Sequence, residues 1–310
     1  MKIIGVDVGG TSIKMGVFST EGVLESKWEI PTRVQNEGKE IIADIAATIY
    51  DYLDKYQISL EEIAGVGVGI PGPVIGDGEV EVCVNLGWKH KKLKQELSAM
   101  LKGIPVAVGN DANVAALGEV WKGGGRGFHD AIVIPLGTGI GGGIIIDGKI
   151  HTGCHGWGGE IGHMRVGERA EEDFCNCGSR GCLEQYASAT GIVRLARKML
   201  PEPMVFQTLT AKNVFDMAKL GNAEAMHVIE TAGYYLGIAM VNLSLSVDPE
   251  VFVIGGGVSK AGKFFLDIIE KHYSEGLTLS KQRAKIHLAE LGNDAGIFGA
   301  AKMVRDMVSV

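Results

Sequence analysis

The opening run, residues 2–8, is apolar except for Lys2 and Asp7 and closes on Gly9-Gly10, which predicts a short strand ending in a turn. Residues 13–19 and 23–30 predict two more strands around the turn Thr20-Glu21-Gly22. The period then changes: Ile41, Ile45, Ile49, Tyr52, Leu53 and Tyr56 fall at helical spacing and predict a helix over 40–56. Residues 63–70 read as a strand, stopped by Pro71-Gly72-Pro73 because proline has no amide to give a sheet. A strand at 105–109 leads to a helix at 112–122, with Asn110-Asp111 at the junction. Residues 130–147 predict a hairpin, Ala131–Leu136 and Gly143–Ile146 around a glycine turn. From 148 to 182 no period is visible, only Gly, His, Cys and charge, and such long irregular stretches are usually functional or organised by a metal. Helices are expected at 183–199, 212–219 and 223–246, the last with Met226, Ile229, Leu236, Met240 and Leu243 on one face and stopped by Asp248-Pro249. Val251–Ile254 predicts a buried strand ending in Gly255-Gly256-Gly257, followed by a helix, a strand near 284–289 and a last helix from about 296. Strands alternating with helices indicate the α/β class.

An apolar strand leads into a glycine turn three times, at 4–11, 133–143 and 251–257. Composition sharpens this: 46 of 310 residues are glycine, roughly 15% and about twice ordinary usage. There is no triplet period, which excludes collagen, and an apolar content of 46% argues against disorder. The excess therefore predicts tight turns or close approaches of backbone to a ligand. Gly67–Gly72 and Gly137–Gly142 both match G-x-G-x-x-G. A dinucleotide fingerprint must open a helix, whereas the first match runs into Pro71 and Pro73 and the second into a strand, so that reading is rejected for both. No G-x-x-x-x-G-K-[ST] occurs, so there is no P-loop. Any one of the three turns fits an ordinary hairpin. Together they suit cradles of backbone N–H groups for an anion, with Thr11 and Thr138 adding hydroxyls. Lys14 either adds positive charge there or is a solvated surface lysine.

Charge narrows the partners. Thirty basic against 37 acidic residues leave a net charge of −7 with no basic run, which speaks against a dedicated nucleic-acid binder. Asp7 interrupts the first apolar run, so no secretory signal is expected. No stretch reaches the roughly 18 uncharged apolar residues of a membrane span, so the cytoplasm is the expected compartment and no membrane partner is expected.

Three of the five cysteines, Cys175, Cys177 and Cys182, fall within eight residues, which suits a metal better than a disulfide framework. With His163 twelve residues upstream, three thiolates and one imidazole complete a closed tetrahedral zinc site. Such a site is structural, because no position stays open for water. Gly178 and Gly181 allow the knuckle to turn sharply; the alternative is three free buried thiols. Glu160, three residues before His163, and Glu184, two after Cys182, tether carboxylates beside the candidate metal or are ordinary surface glutamates. Asn110-Asp111 suits a helix cap. It equally suits the carboxyl end of a strand where α/β sheets bind ligands, with a carboxylate able to take a proton from a hydroxyl. Carboxylates with an asparagine amide and an imidazole fit a polyhydroxylated ligand.

Over nearly its whole length the chain resembles the ROK family of sugar kinases and related repressors. Asp7-Val-Gly-Gly-Thr11 and Leu136-Gly-Thr-Gly-Ile-Gly-Gly-Gly143 resemble the two phosphate motifs of the actin-like ATPase fold, and Gly255-Gly-Gly257 resembles its adenosine motif. Glu160-Ile-Gly-His163 and Cys175-x-Cys177-Gly-x-x-Gly-Cys182-x-Glu184 resemble the two family consensus blocks, and this pair is the specific part. One departure is Cys154-His155-Gly156-Trp157-Gly158-Gly159, where the family more often has small residues in place of Trp157.

The resemblance implies an α/β, actin-like ATPase (ribonuclease H-like) fold of two lobes with a zinc knuckle. Residues 1–112 would be the small lobe, with a C-terminal helix at about 294–310 returning to it. Residues 113–293 would be the large lobe, carrying the knuckle and helical segments. It implies Asp111 as the catalytic base for the sugar 6-hydroxyl. Asn110, Asp111, Glu160, His163 and Glu184 would be the hexose contacts, His163 using one ring nitrogen for zinc and the other for sugar. Asp7, Gly9, Gly10, Thr11, Lys14, Thr138, Gly139, Gly256 and Gly257 would serve ATP, with Asp7 reaching Mg²⁺ through water. His163, Cys175, Cys177 and Cys182 would hold a structural Zn²⁺. The implied activity is ATP-dependent phosphorylation of a hexose at the 6-hydroxyl. Cys182-Leu-Glu184-Gln-Tyr-Ala-Ser-Ala-Thr-Gly191 most resembles the family's glucokinases, so glucose is the expected hexose. N-Acetylmannosamine, N-acetylglucosamine and fructose are the alternatives, with mannose as a second substrate and polyphosphate as another donor. The family usually forms homodimers or homotetramers. Its repressors carry a helix-turn-helix domain before this fold, and a first strand starting at Lys2 or Ile3 leaves no room for one.

Overall fold

The first predicted strand is β1 (Lys2–Val8), the middle strand of a five-stranded sheet. On one side lie β2 (Ser12–Ser19) and β3 (Leu24–Pro31), joined antiparallel; on the other lies β4 (Ile63–Ile70), parallel to β1. Residues 74–91, for which the sequence carried no expectation, form a separate antiparallel sheet of β5 (Val74–Ile75), β6 (Glu79–Cys83) and β7 (Trp88–Lys91). β8 (Val106–Asn110) then pairs parallel with β4, giving the order β3-β2-β1-β4-β8. The computed structural model describes residues 1–167, 173–201 and 209–308. By contacts the chain divides into two units: Met1–Gly127 with Gly148–Gly158 and Asn293–Val310, and Phe128–Asp147 with Gly159–Gly292.

In the first unit, alternation along β1 sends Ile4, Val6 and Val8 to one face, where they share a core with Ile41, Ile45 and Ile49 of α1 (Ile41–Tyr56). The short α2 (Leu93–Met100) adds Leu93 and Leu97 to that core. α3 (Asp111–Lys122) follows β8 as expected. The opposite face carries Ile3, packed with Ile297, Ala301 and Val304 of the C-terminal helix Ala295–Val308. Beneath that helix Gly16, Gly5 and Gly67 stand in register across β2, β1 and β4. A Cβ on Gly5 would lie 2.0 Å from the Ile297 carbonyl oxygen, and one on Gly67 would lie 1.8 Å from that of Ala300. The same helix meets α3 as closely: a Cβ on Gly118 would lie 2.3 Å from the Ala295 oxygen, and one on Gly299 would lie 1.6 Å from the Val114 oxygen. Part of the glycine excess therefore serves backbone-to-backbone packing. Gly67, read in the sequence as part of a glycine motif, is one of these packing glycines.

The second unit contains the predicted hairpin, β9 (Ala131–Pro135) and β10 (Gly143–Ile146). The two-residue β11 (Lys149–Ile150) falls in the first unit. β9 pairs parallel with β12 (Val251–Gly255), which pairs parallel with β13 (Lys285–Leu288). The helix expected over 183–199 is two: α4 (Glu184–Ala187) and α5 (Ala189–Met199). Ser188 between them is extended, and its hydroxyl donates to the Glu184 carbonyl at 2.6 Å and accepts from the Gly191 amide at 2.9 Å, capping α5. α6 (Ala211–Lys219), α7 (Ala223–Val247) and α8 (Lys263–Gly276) follow, and the C-terminal helix Ala295–Val308 is α9.

By length and composition α7 is apolar enough to cross a membrane, contrary to the expectation that no stretch would be. Its Val228, Ile229, Leu236 and Met240 share one core with Phe252 and Ile254 of β12 and Phe265 and Ile269 of α8. A helix enclosed by a core on several sides is apolar nearly all round. In the stretch expected to be irregular, residues 168–172 lie outside the described residues, as do residues 309–310 of the C-terminal helix expected from the sequence.

Candidate functional site

The second unit brings together His163, Cys175, Cys177 and Cys182, one donor atom of each lying within 4.8 Å of all the others. Backbone geometry produces this. Gly178 has φ +81° and Gly181 has φ +74°, so the segment doubles back. The Cys175 amide donates to the Ser179 carbonyl at 2.8 Å, and Cys182 pairs with Arg165, two residues past His163. Cys177 Sγ lies 3.7 Å from Cys182 Sγ, and Cys175 Sγ lies 3.5 Å from His163 Nδ1. Burial, with the Glu184 carboxylate adding to it, holds the Cys175 thiol far above its ordinary pKa. Burial also raises Cys182, while the Ser179 amide lowers Cys177.

Both predicted carboxylates stand beside this group. The thiol of Cys175 donates to Glu184 Oε1 at 2.8 Å, and that oxygen is 3.7 Å from His163 Nδ1. Glu160 Oε2 lies 3.9 Å from the other ring nitrogen, Nε2. His163 thus turns Nδ1 to the thiols and Nε2 to Glu160. Trp157, at the departure from the family pattern, is 74% exposed in the first unit.

Two of the three predicted glycine turns meet in the second unit. Gly255 accepts from the Leu136 amide at 2.8 Å, and Leu136 accepts from the Val258 amide at 3.0 Å. Gly256 has φ +80°, and a Cβ there would lie 2.4 Å from the Leu136 oxygen, so this glycine is required by contact with the other turn. Gly257 faces open space. Thr138 is exposed, and its carbonyl accepts from the Thr190 hydroxyl at 2.6 Å, which ties the turn to the start of α5. A Cβ on Gly139 would lie 2.7 Å from Glu184 Oε2. Thr138, Gly139, Cys175, Glu184 and Thr190 border one cavity of about 320 Å³.

The remaining candidates lie in the first unit. Gly9, Gly10 and Thr11 form the turn between β1 and β2. Thr32, which carried no signal in the sequence, is buried and donates its hydroxyl to the Gly9 carbonyl at 2.6 Å. Asp7 and Lys14 are cross-strand partners. Burial raises the Asp7 pKa, and the Lys14 charge opposes that rise. The Lys14 ammonium donates to the Asn293 carbonyl at 3.2 Å. Asn110 caps α3, its Oδ1 accepting from the amides of Ala112 and Asn113 at 3.1 and 3.2 Å while its Nδ2 donates to Gly72. Asp111 opens α3 half-buried, with Oδ1 accepting from the Ala112 amide at 2.8 Å.

A profile of the ROK family matches residues 3–307. A glucokinase from Halalkalibacterium halodurans is 44% identical, covering 97% of this chain and 94% of its own. Among solved structures, the ROK hexokinase from Thermus thermophilus superposes with a TM-score of 0.86 at 29% identity, over 100% of this chain and 99% of that one. A ROK family glucokinase from Streptomyces griseus, in complex with glucose and AMPPNP, gives 0.75 at 35% identity over 99% and 100% of the two chains. The fold is thus the expected α/β, actin-like ATPase fold. With a profile match and relatives that extend over nearly its full length, the chain belongs to the ROK family.

Proposed function

We propose that this chain is an ATP-dependent kinase that phosphorylates glucose at its 6-hydroxyl. The observation that carries the reading is similarity over almost the full length to relatives named glucokinase, one of them solved with glucose and an ATP analogue. The chain's own residues supply the chemistry such a transfer needs. Phosphoryl transfer depends on positioning and charge stabilisation more than on covalent help. Asp111 is assigned as the base that takes the proton of the attacking hydroxyl. Its backbone is fixed by the Asn110 cap, and its Oδ1 is already oriented by an amide. Asn110, Glu160, His163 and Glu184 are assigned to the hexose hydroxyls, where a carboxylate acceptor makes a charge-assisted bond. Gly9, Gly10, Thr11, Thr138, Gly139, Gly256 and Gly257 are assigned to ATP, with Lys14 adding charge, and Asp7 is assigned to Mg²⁺ through water. Mg²⁺, when bound, neutralises phosphate charge.

The cysteine group fits zinc. A tetrahedral ion with Zn–S bonds of about 2.3 Å and a Zn–N bond of about 2.0 Å has an S–S edge of about 3.8 Å and an S–N edge of about 3.5 Å. The sulfur pair at 3.7 Å and the sulfur–nitrogen pair at 3.5 Å match both. His163, Cys175, Cys177 and Cys182 would hold the ion, which would fix the imidazole so that Nε2 is aimed toward Glu160. Such a thiolate site is kept in a reducing compartment, which supports the cytoplasm. The assembly is expected to follow the family's dimers or tetramers.

ADP release from ATP tests the reading. Release should depend on glucose and exceed that with fructose, N-acetylglucosamine or N-acetylmannosamine. Release that ignores sugar, or that prefers an N-acetylhexosamine, would overturn it.

A further inference from the structure

Gln185 follows Glu184 in the stretch that resembles the family's glucokinases, where its amide carries no assigned role of its own. It is one of the few buried polar residues, 7% exposed. Both ends of its amide are used. Oε1 accepts from the Cys182 backbone N–H at 3.1 Å, and Nε2 donates to the Asp173 carbonyl at 2.9 Å. Asp173 and Cys182 flank the cysteine segment at its two ends, so one side chain ties the limb that carries Cys175 to the limb that carries Cys182 and Glu184. The tie is reinforced. The Gln185 carbonyl accepts from Arg194 Nε and Nη2 at 3.1 and 2.8 Å, and Arg194 Nη1 donates to Asp173 Oδ2 at 2.9 Å.

We propose that Gln185 is a positioning residue that sets the span of the cysteine knuckle and, through it, the aim of Glu184 at the hexose. This rests on the hexose-kinase reading for its functional half. A side-chain amide of this length can accept from one backbone group while donating to another. Glutamate accepts but cannot donate to a carbonyl, and leucine does neither. The Glu184 carboxylate stands beside Cys175, so a shift of one limb against the other changes how the carboxylate sits against the cysteine group. The Glu184 carbonyl is held separately by Ser188, so the helical turn itself survives loss of the tie.

The test uses the full-length protein with Gln185→Glu and Gln185→Leu. Both cut the link to Asp173, whereas only leucine also frees the Cys182 amide. Partners of this kind typically change metal affinity or activity roughly ten- to a hundredfold. Zinc release to an excess of a chromogenic chelator should accelerate by about that factor in both variants, and the KM for glucose should rise comparably. The kcat and the KM for ATP should stay near wild type. Hydrogen exchange should quicken at Cys175 in both variants and at Cys182 in Gln185→Leu alone. Unchanged exchange with unchanged zinc release in both variants overturns the proposal. So does a fall in kcat accompanied by an equal rise in both KM values, which would mark general loosening. If Gln185→Leu does not fold, Gln185→Glu decides. If the wild type itself makes no ADP with glucose, the kinase reading has failed, while exchange and zinc release still decide the knuckle tie.

Discussion

Of the two readings of Asn110-Asp111, helix cap and chemistry, the cap falls to Asn110. Asn110 caps α3 with its own oxygen, so the carboxylate of Asp111 is not needed to start the helix. Asp111→Asn should therefore fold, bind glucose by calorimetry, and lose about 10²–10⁴ in turnover, the usual cost of a missing general base. Near-normal turnover would remove Asp111 from that role. Asp7 carries a different tension. Burial raises its pKa, so at neutral pH the folded protein holds a carboxylate that burial disfavours, only partly offset by Lys14. A raised folded-state value means that its stabilising contribution is present at acid pH, below the unfolded value, and is lost as pH rises through the folded one. Asp7→Asn should thus melt above wild type at pH 7, the gap should close on acidification through the carboxylate range, and phosphoryl transfer should fail. A lower melting temperature at pH 7 would show that the Lys14 pairing outweighs burial.

Among the elements, α9 is placed by residues that lack side chains. Gly16, Gly5 and Gly67 lie in one row of the sheet, and Gly118 and Gly299 occupy the crossing with α3. The atoms that a Cβ on Gly67 would meet, the nearest at 1.8 Å, belong to the Ala300 backbone, which cannot swing aside as the tip of a side chain can. Overpacking usually costs about 1–3 kcal/mol, and Gly67→Ala should fall at the upper end of that range or beyond in denaturant unfolding. A midpoint equal to wild type would mean that α9 slides freely on the sheet. The knuckle obeys the opposite logic. Its residues announce themselves by chemistry, since three cysteines at close spacing with a histidine offer a full set of metal ligands. The break at Ser188 was hidden because apolar spacing continues across it, and only the hydroxyl's bonds to Glu184 and Gly191 end one helix and start the next.

On the scale of the molecule, each unit encloses its own apolar core. A ligand that binds only the folded state raises stability by about 2.7 kcal/mol at a hundred times its dissociation constant. Glucose at that excess should raise the melting temperature measurably, and fructose at the same concentration should not. An equal shift with both sugars would contradict the assigned preference.

What the sequence determined alone is what near neighbours decide: the alternation of β1, the hairpin of β9 and β10, the helix α1, and a donor set whose close spacing lets short turns converge it. What only the tertiary structure decided depends on residues far apart along the chain. A glycine shows no pattern of its own, so whether it packs, as Gly5 and Gly67 do under a helix that forms at the other end of the chain, or faces open space, as Gly257 does, is settled by what lies opposite. The amide of Gln185 is equally silent, because its meaning is the distance between Asp173 and Cys182, and that distance exists only once the knuckle has folded against α4 and α5.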